Sequence, residues 1–301
     1  MVTPSERRAA ASFLEENFEM SQRHACRLVG HARSTQRYEL RREDVPLLRE
    51  RLVHLAEQRP RFGYPRLHIL LVREGFMVNR KRVYWLYRAA GLKLRAKRRK
   101  RAAPREKRPM IPAAGANQSW LMDFVSDRLG DGRQFRTFTV VDEFVKRSPV
   151  LEVDTSISGQ RVTRALDQAI DAYGKPRRLI MDNGPEFTSR ALLEWAGRRN
   201  IELVWIDPGK PIQNAYIESF NARFRDECLN QHHFTTLADA RGLIEAWRQD
   251  YNHVRPHTSL GGETPERFNE LWFAAMAADQ SQVSQPQLPF PPEIRSTREP
   301  T

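Results

Sequence analysis

Three acids separated by 58 and then 35 residues hold the chemistry this sequence could perform: Asp123 in "WLMDFVSD", Asp182 in "IMDNGPEF" and Glu218 in "QNAYIESFNARFRDECL". Carboxylates are hard oxygen ligands, and acids brought together in a fold could hold a metal ion. Asp123 stands inside an apolar run that reads as a buried strand, where an ionised carboxylate is costly unless it is paired or metal-bound. Asp182 follows the apolar "LIM" and precedes Asn183-Gly184, a pair that favours a tight turn, so it either starts that turn or holds a metal. Catalytic and binding sites of open α/β sheets gather outside the carboxyl ends of strands, so Asp123 and Asp182 could converge if their strands are neighbours. On a helix, Glu218, Asn221, Ala222 and Arg225 form one stripe, while Ile217, Phe220 and Phe224 form a packing face. Glu218 and Arg225 are either an ordinary i, i+7 surface pair or a carboxylate for metal beside a cation for phosphate. Glu186 and Asp142 are the rival acids. Glu186 could instead serve as a helix N-terminal charge.

The elements that must position these acids follow from periodicity. "QSWLMDFVSD", "FRTFTVVDEF" and "RSPVLEVDTS" read as strands, and "GQRVTRALDQAIDAYG" as a helix. "PRRLIMDNG" and "IELVWI" read as two more strands with the helix "TSRALLEWAGRRN" between them, and two helices follow at "AYIESFNARFRDECL" and "TLADARGLIEAWRQDYN". The order βββαβαβαα predicts a mixed five-stranded sheet with helices on its faces, an α/β domain over 115–272. Upstream, "SQRHACRLVGHARSTQRYEL" reads as helix, turn at Gly30 and second helix, within a module spanning 1–44. Its apolar face would be Ala25, Leu28 and Val29. Ser34, Thr35, Gln36 and Arg37 would begin the second helix, where base edges are met; the alternative is a plain helical hairpin. A second helical module, 45–92, has apolar residues at helical spacing (Leu67, Leu70, Leu71; Val83, Leu86, Tyr87), an N-cap at Asn79 and a stop at Gly91. The same periodicity assigns Tyr84 and Trp85 to its core.

The charge is divided along the chain. Residues 1–110 hold 28 Lys and Arg against 11 Asp and Glu, a balance of +17, whereas the whole chain of 301 residues carries +13, so the rest is acidic by 4. This asymmetry points to a polyanion partner, most simply double-stranded DNA, or else to a well-solvated basic surface. The segment "KLRAKRRKRAAPREKR", with Lys97, Arg98, Arg99, Lys100 and Arg101 at its centre, repels itself too strongly to pack and reads as a DNA tether within a linker at 93–114. A Gln-, Pro- and Ser-rich tail at 273–301 reads as disordered. Two distant cysteines cannot make a disulfide framework, and no apolar run has the length of a membrane span, so a cytoplasmic protein without a membrane partner is expected.

The three acids, their 35-residue final spacing and the ordered blocks "WLMDFVSD", "MDNGPEF", "QNAYIESFNARFRDECL" and "YNHVRPHTSLGGETPERF" resemble the integrase catalytic core of bacterial insertion-sequence transposases. With "ACRLVGHARSTQRY" and "RFGYPRLHILLVREGFMVNRKRVYWLYRAAGL", the chain resembles the second-reading-frame product of the insertion-sequence-three family over roughly residues 20–272. The resemblance implies a ribonuclease-H-like integrase core preceded by all-α helix-turn-helix modules. Asp123, Asp182 and Glu218 would be the catalytic and metal-binding acids, and the metals two Mg²⁺ ions, with Mn²⁺ able to substitute. In a two-metal scheme the ions lie about 3.5–4 Å apart and stabilise the attacking and leaving oxygens. Water would free a 3′-hydroxyl at the element end, and that hydroxyl would attack a second phosphodiester. Arg225 matches the family's basic residue seven beyond the Glu and would contact DNA, with Lys210 and Asn214 as further contacts. The implied partners are element-end and target DNA, further copies of the chain in the DNA complex, and an upstream-frame protein by fusion or association. The chain would be nucleoid-associated when DNA-bound. The His, His, Cys, Cys zinc module of retroviral integrases has no counterpart, since Cys26 is the sole N-terminal cysteine. A DNA-binding regulator with an idle core is the rival from another class, though it has no need of an acid inside "WLMDFV".

Overall fold

The computed structural model describes residues 3–37, 46–92, 94, 113–206 and 215–283. Lys97, Arg98, Arg99, Lys100, Arg101, Lys210 and Asn214 lie outside the described residues. Two compact units divide the chain, Met1–Arg51 and Leu52–Thr301.

In the first unit, α1 (Pro4–Phe18) starts with a capping box in which Thr3 and Glu6 satisfy each other's backbone N–H groups. Helices α2 (Gln22–Leu28) and α3 (Arg33–Gln36) follow, with Gly30 at φ +63° between them. Ala11, Ala25 and Cys26 form the small core, with Leu14 and Val29 against it. Leu28, expected on the apolar face, is instead exposed. At α2's last residue it falls outside the stripe that Ala25 and Cys26 turn inward, and Cys26 takes the place assigned to it.

Helix α4 (Pro46–Gln58) leads to α5 (Tyr64–Arg73) and α6 (Arg80–Ala89) in the second unit. Leu67, Leu70, Leu71, Val83 and Tyr87 are buried, the Asn79 side chain caps α6 at the Lys81 N–H, and Gly91 ends the run at φ +71°. Trp85, expected in the core, is 60% exposed. It lies two residues from Val83 and two from Tyr87, hence on the far side of a helix whose period brings 83 and 87 together.

The sheet has the order β3-β2-β1-β4-β5, built from β1 (Ser119–Arg128), β2 (Gln134–Asp142), β3 (Val150–Asp154), β4 (Arg178–Met181) and β5 (Glu202–Trp205). The first three strands pair antiparallel, while β4 runs parallel to both β1 and β5. Helices α7 (Gly159–Tyr173) and α8 (Arg190–Arg199) bury Val162, Leu166, Leu192 and Trp195 with Trp120 and Met122 of β1. Helices α9 (Ala215–Glu227) and α10 (Leu237–His253) bury Ile217, Phe220, Phe224 and Trp247 with Leu121 and Val125. This is the mixed five-stranded sheet flanked by helices that the periodicity predicts. Helix α11 (Pro265–Val283) crosses the expected start of the tail, so residues 273–283 continue a helix where disorder was expected.

Candidate active site

Strand alternation decides which way the acids face. Leu121 and Val125 of β1 pack with α9, and successive side chains alternate faces, so Asp123 between them belongs to the α9 side. Ile180 of β4 packs in the same cluster, which assigns Asp182, two residues on, to that side as well. The parallel register pairs Leu121 with Ile180, so each acid lies two residues beyond one rung of the same ladder. Glu218 occupies the first turn of α9, favourable for a carboxylate because of the helix dipole, and the burial of Ile217, Phe220 and Phe224 leaves Glu218 and Arg225 exposed.

The Asp123 carboxyl is pushed above the usual aspartate range chiefly by burial, and further by the charges of Asp182 and Glu218. Its own neighbour's N–H, from Phe124 at 2.7 Å, and the Asn221 side-chain amide at 2.7 Å act in the opposite direction. Asp182 Oδ1 accepts the Gly184 N–H at 3.0 Å, the turn its sequence foretells. None of the three acids forms a salt bridge among the described residues. Three carboxylates on one side of the sheet are the hard oxygen ligands that suit a divalent cation such as Mg²⁺. Among the described residues, no group of three or more His, Cys, Asp or Glu side chains is placed so that it could hold a metal ion as the side chains stand.

The rival acids have other partners. Asp142 is buried and accepts the backbone N–H groups of Asn117, Phe144 and Val145 at 2.8, 2.8 and 3.0 Å, so it builds the turn after β2. Opposite Trp120, it is three residues along β1 from Asp123, about 10 Å. Glu186 pairs with Arg136, whose guanidinium lies 4.2 Å above the Phe124 ring. Its other carboxylate oxygen stays near Gly184, beside Asp182.

Models of an integrase core domain match residues 113–211 and 199–265, and a model of an HTH-like domain matches 42–101. The chain is 49% identical over 258 residues to an insertion element IS407 protein of 31.7 kDa from Burkholderia multivorans, covering 85% of this chain and 93% of that one. It is 46% identical to an insertion element IS476 protein of Xanthomonas euvesicatoria, covering 89% and 78%. Its identity to the transposase InsF for insertion sequence IS3A of Escherichia coli is 26%, covering 72% and 80%. The chain belongs to the insertion-sequence-three family of transposases. Among solved structures, the HTLV-2 integrase catalytic core domain in complex with magnesium is similar at TM-score 0.43 and 19% identity, over 52% of this chain and 98% of that one.

In this transposase-family chain the HTH-like match falls on the second helical module. The proposed readers of the first module have local duties. Gln36 donates to the Ser12 hydroxyl at 3.1 Å, Arg37 to Gln22 at 2.7 Å, and the Thr35 carbonyl accepts from Arg8, which leaves Ser34 and the Thr35 hydroxyl free to face solvent. Arg225 donates to the Ser126 carbonyl of β1 at 3.1 Å while staying exposed. His257 is buried on the Tyr251 carbonyl, and burial drives its pKa down to about 3, so it is a neutral structural residue. Sequence reasoning missed Asn221 as a site residue. The available signal was its place one helical turn after Glu218, on the same stripe.

Proposed function

We propose that this chain catalyses metal-dependent cleavage of insertion-sequence ends and direct strand transfer, with Asp123, Asp182 and Glu218 as the acids that hold the divalent ions. The observation that supports it most is the β1–β4 register, which sets Asp123 and Asp182 two residues beyond one rung on the side of the sheet that α9, with Glu218, covers. A bound divalent ion, Mg²⁺ or Mn²⁺ and two of them in the full scheme, would stabilise the attacking and leaving oxygens of an in-line displacement. Two successive displacements account for transposition. Water attacks phosphorus and the 3′-oxygen leaves as a hydroxyl; that hydroxyl then attacks a second phosphodiester, whose own 3′-oxygen leaves.

The side chains have distinct parts in this reading. Asn221 holds Asp123 Oδ2 while the Phe124 N–H holds Oδ1, so the carboxylate is fixed in orientation from both ends. Arg225, two turns along α9 from Glu218, gathers a phosphate next to the reacting one, with Lys210 and Asn214 ahead of the helix. The helical modules and the basic segment 93–114 supply sequence-tolerant affinity for the DNA backbone. Two ends must be held at once, so the working assembly contains more than one copy of the chain.

The test is Mg²⁺-dependent cleavage and joining of a duplex carrying the element's terminus. Asp182→Asn is expected to lower both by about a hundredfold or more while preserving DNA binding. Full activity in that variant, or activity equal with and without metal, refutes the assignment.

A further inference from the structure

A cleft of about 400 Å³ opens beside α9 on a flank away from Glu218. Arg66 of α5, Lys146 of the turn after β2, Arg223 of α9 and Arg255 of the loop after α10 line it, and no acid does. Arg255 begins the "RPHTS" stretch of "YNHVRPHTSLGGETPERF", a block to which the three acids give no role.

Its positive charge is only partly answered. Arg66 and Arg255 share a single acid behind the wall, Glu227, at 3.2 and 2.6 Å. Arg223 makes no hydrogen bond or ion pair among the described residues. Lys146 sits 3.8 Å over the Tyr216 ring and donates to the Glu143 carbonyl at 2.5 Å. Its backbone takes φ +62° where its N–H closes the turn after β2 on the Asp142 carbonyl at 3.1 Å. Burial lowers the Lys146 ammonium pKa, the charges of Glu143 and Asp142 raise it, and the Arg223 charge lowers it, so the two cations are close enough to act on each other. Tyr216 keeps 46% of its surface exposed at the rim. On a helix of 3.6 residues per turn, Ser219 and Arg223 lie about 100° and 140° around α9 from Glu218, across a helix about 10–12 Å wide.

We propose that this cleft binds a non-scissile phosphodiester of the DNA strand that crosses α9. Arg223 and Lys146 are its charge-assisted donors, the Ser219 hydroxyl is a third, and Tyr216 offers its ring to the adjoining base. The inference rests on the transposase reading above and adds a second anchoring point to it. A strand held both here and at the three acids is fixed in direction across the helix, which positions the reacting phosphate.

The experiment measures binding of the full chain, made inactive by Asp182→Asn, to a duplex carrying the element's terminus. Arg223→Gln is expected to weaken binding about fivefold to tenfold and to lower the slope of log K against log salt by about 0.9, the loss of one duplex phosphate contact. Lys146→Gln should do the same, and the double variant should be little worse than either single one, since both serve one phosphate. Neutral methylphosphonates scanned along the DNA should then reveal one non-scissile position that costs affinity in the parent and nothing more in Arg223→Gln. An unchanged salt slope overturns the inference. So does a scan in which every position costs parent and variant alike, the result expected of a free phosphate ion. Cleavage by the unsubstituted chain separates the two levels: if it cuts while Arg223→Gln keeps the parent's slope, only the cleft assignment fails. If it does not cut, the reading beneath it fails.

Discussion

Replacing Glu227 by Gln removes one negative charge from a buried ionic cluster of the second unit, Glu227 with Arg255 and Arg66. Arg255 reaches Glu227 through Nε and Nη2, both at 2.6 Å, and Arg66 adds a third bond at 3.2 Å. The Arg255 side chain is only 2% exposed and the Glu227 side chain 9%. Water cannot replace the lost charge, so the Arg255 guanidinium stays buried and uncompensated, stacked between Tyr251 and Phe62. Removing one partner of such a pair costs about 3–5 kcal/mol. Gln keeps one carbonyl acceptor, so the lower end, about 3 kcal/mol, is expected. For a unit of this size each kcal/mol moves the midpoint by about 2–4 °C, so the melting temperature should fall by about 6–12 °C in a calorimetric scan at neutral pH. Arg61 and Asp226 join α9 to the segment before α5, and Arg66 and Glu227 join α9 to α5 itself. The variant should therefore also speed tryptic cutting after Arg61. Replacing Glu227 by Leu together with Arg255 by Met should restore much of the loss, because a packed apolar pair escapes the desolvation penalty. A Glu227→Gln protein melting within about 2 °C of the parent would show that the cluster is not the ionic clamp described here.

The proposed acids give three further expectations. Asn221→Ala frees the Asp123 carboxylate from its amide donor, and the Mg²⁺ concentration for half-maximal cleavage should rise by about tenfold in a metal titration; an unchanged value refutes the positioning role. Gly184→Ala would place a Cβ 3.0 Å from Asp182 Oδ1 and 3.5 Å from Glu186 Oε2, so cleavage should drop by about tenfold with melting nearly unchanged, and wild-type rates would show that Asp182 need not hold its position. Asp123 holds its proton more tightly folded than unfolded, so its contribution to metal-free stability is full below the unfolded aspartate value of about 3.9 and is lost as pH rises through the folded pKa. Asp123→Asn should accordingly raise the neutral-pH melting temperature of the metal-free protein, with the gain vanishing on acidification below about pH 4; a gain that persists in acid contradicts the burial argument.

Much of the core was legible in the sequence because its signals are local. The alternation of Trp120, Met122 and Leu121, Val125 is a strand's period of two, and it already assigns Asp123 a face. Ile217, Phe220 and Phe224 repeat at the helical period and turn Glu218 and Arg225 outward. Asn183-Gly184 announces the turn after β4 by its backbone preferences alone. The order of five strands and their helices follows from the same periods.

Tertiary structure alone decided which of these parts meet. Only the parallel pairing of β4 with β1 brings Asp182 level with Asp123, and nothing in either segment states that they are neighbours. Packing also gives the rivals other partners: Asp142 accepts three backbone N–H groups, and one oxygen of Glu186 pairs with Arg136. Trp85 and Leu28 defied their apolar character because exposure depends on which side of a helix finds a partner, and that partner is distant in sequence. The same holds for charge. Arg59, Arg61 and Arg66 belong to the basic excess of residues 1–110, yet they bond Asp250, Asp226 and Glu227, more than 160 residues away. Periodicity is fixed by the geometry of one element, so the sequence carries it; the partner of a charge is fixed by packing between elements, and only the folded chain supplies it.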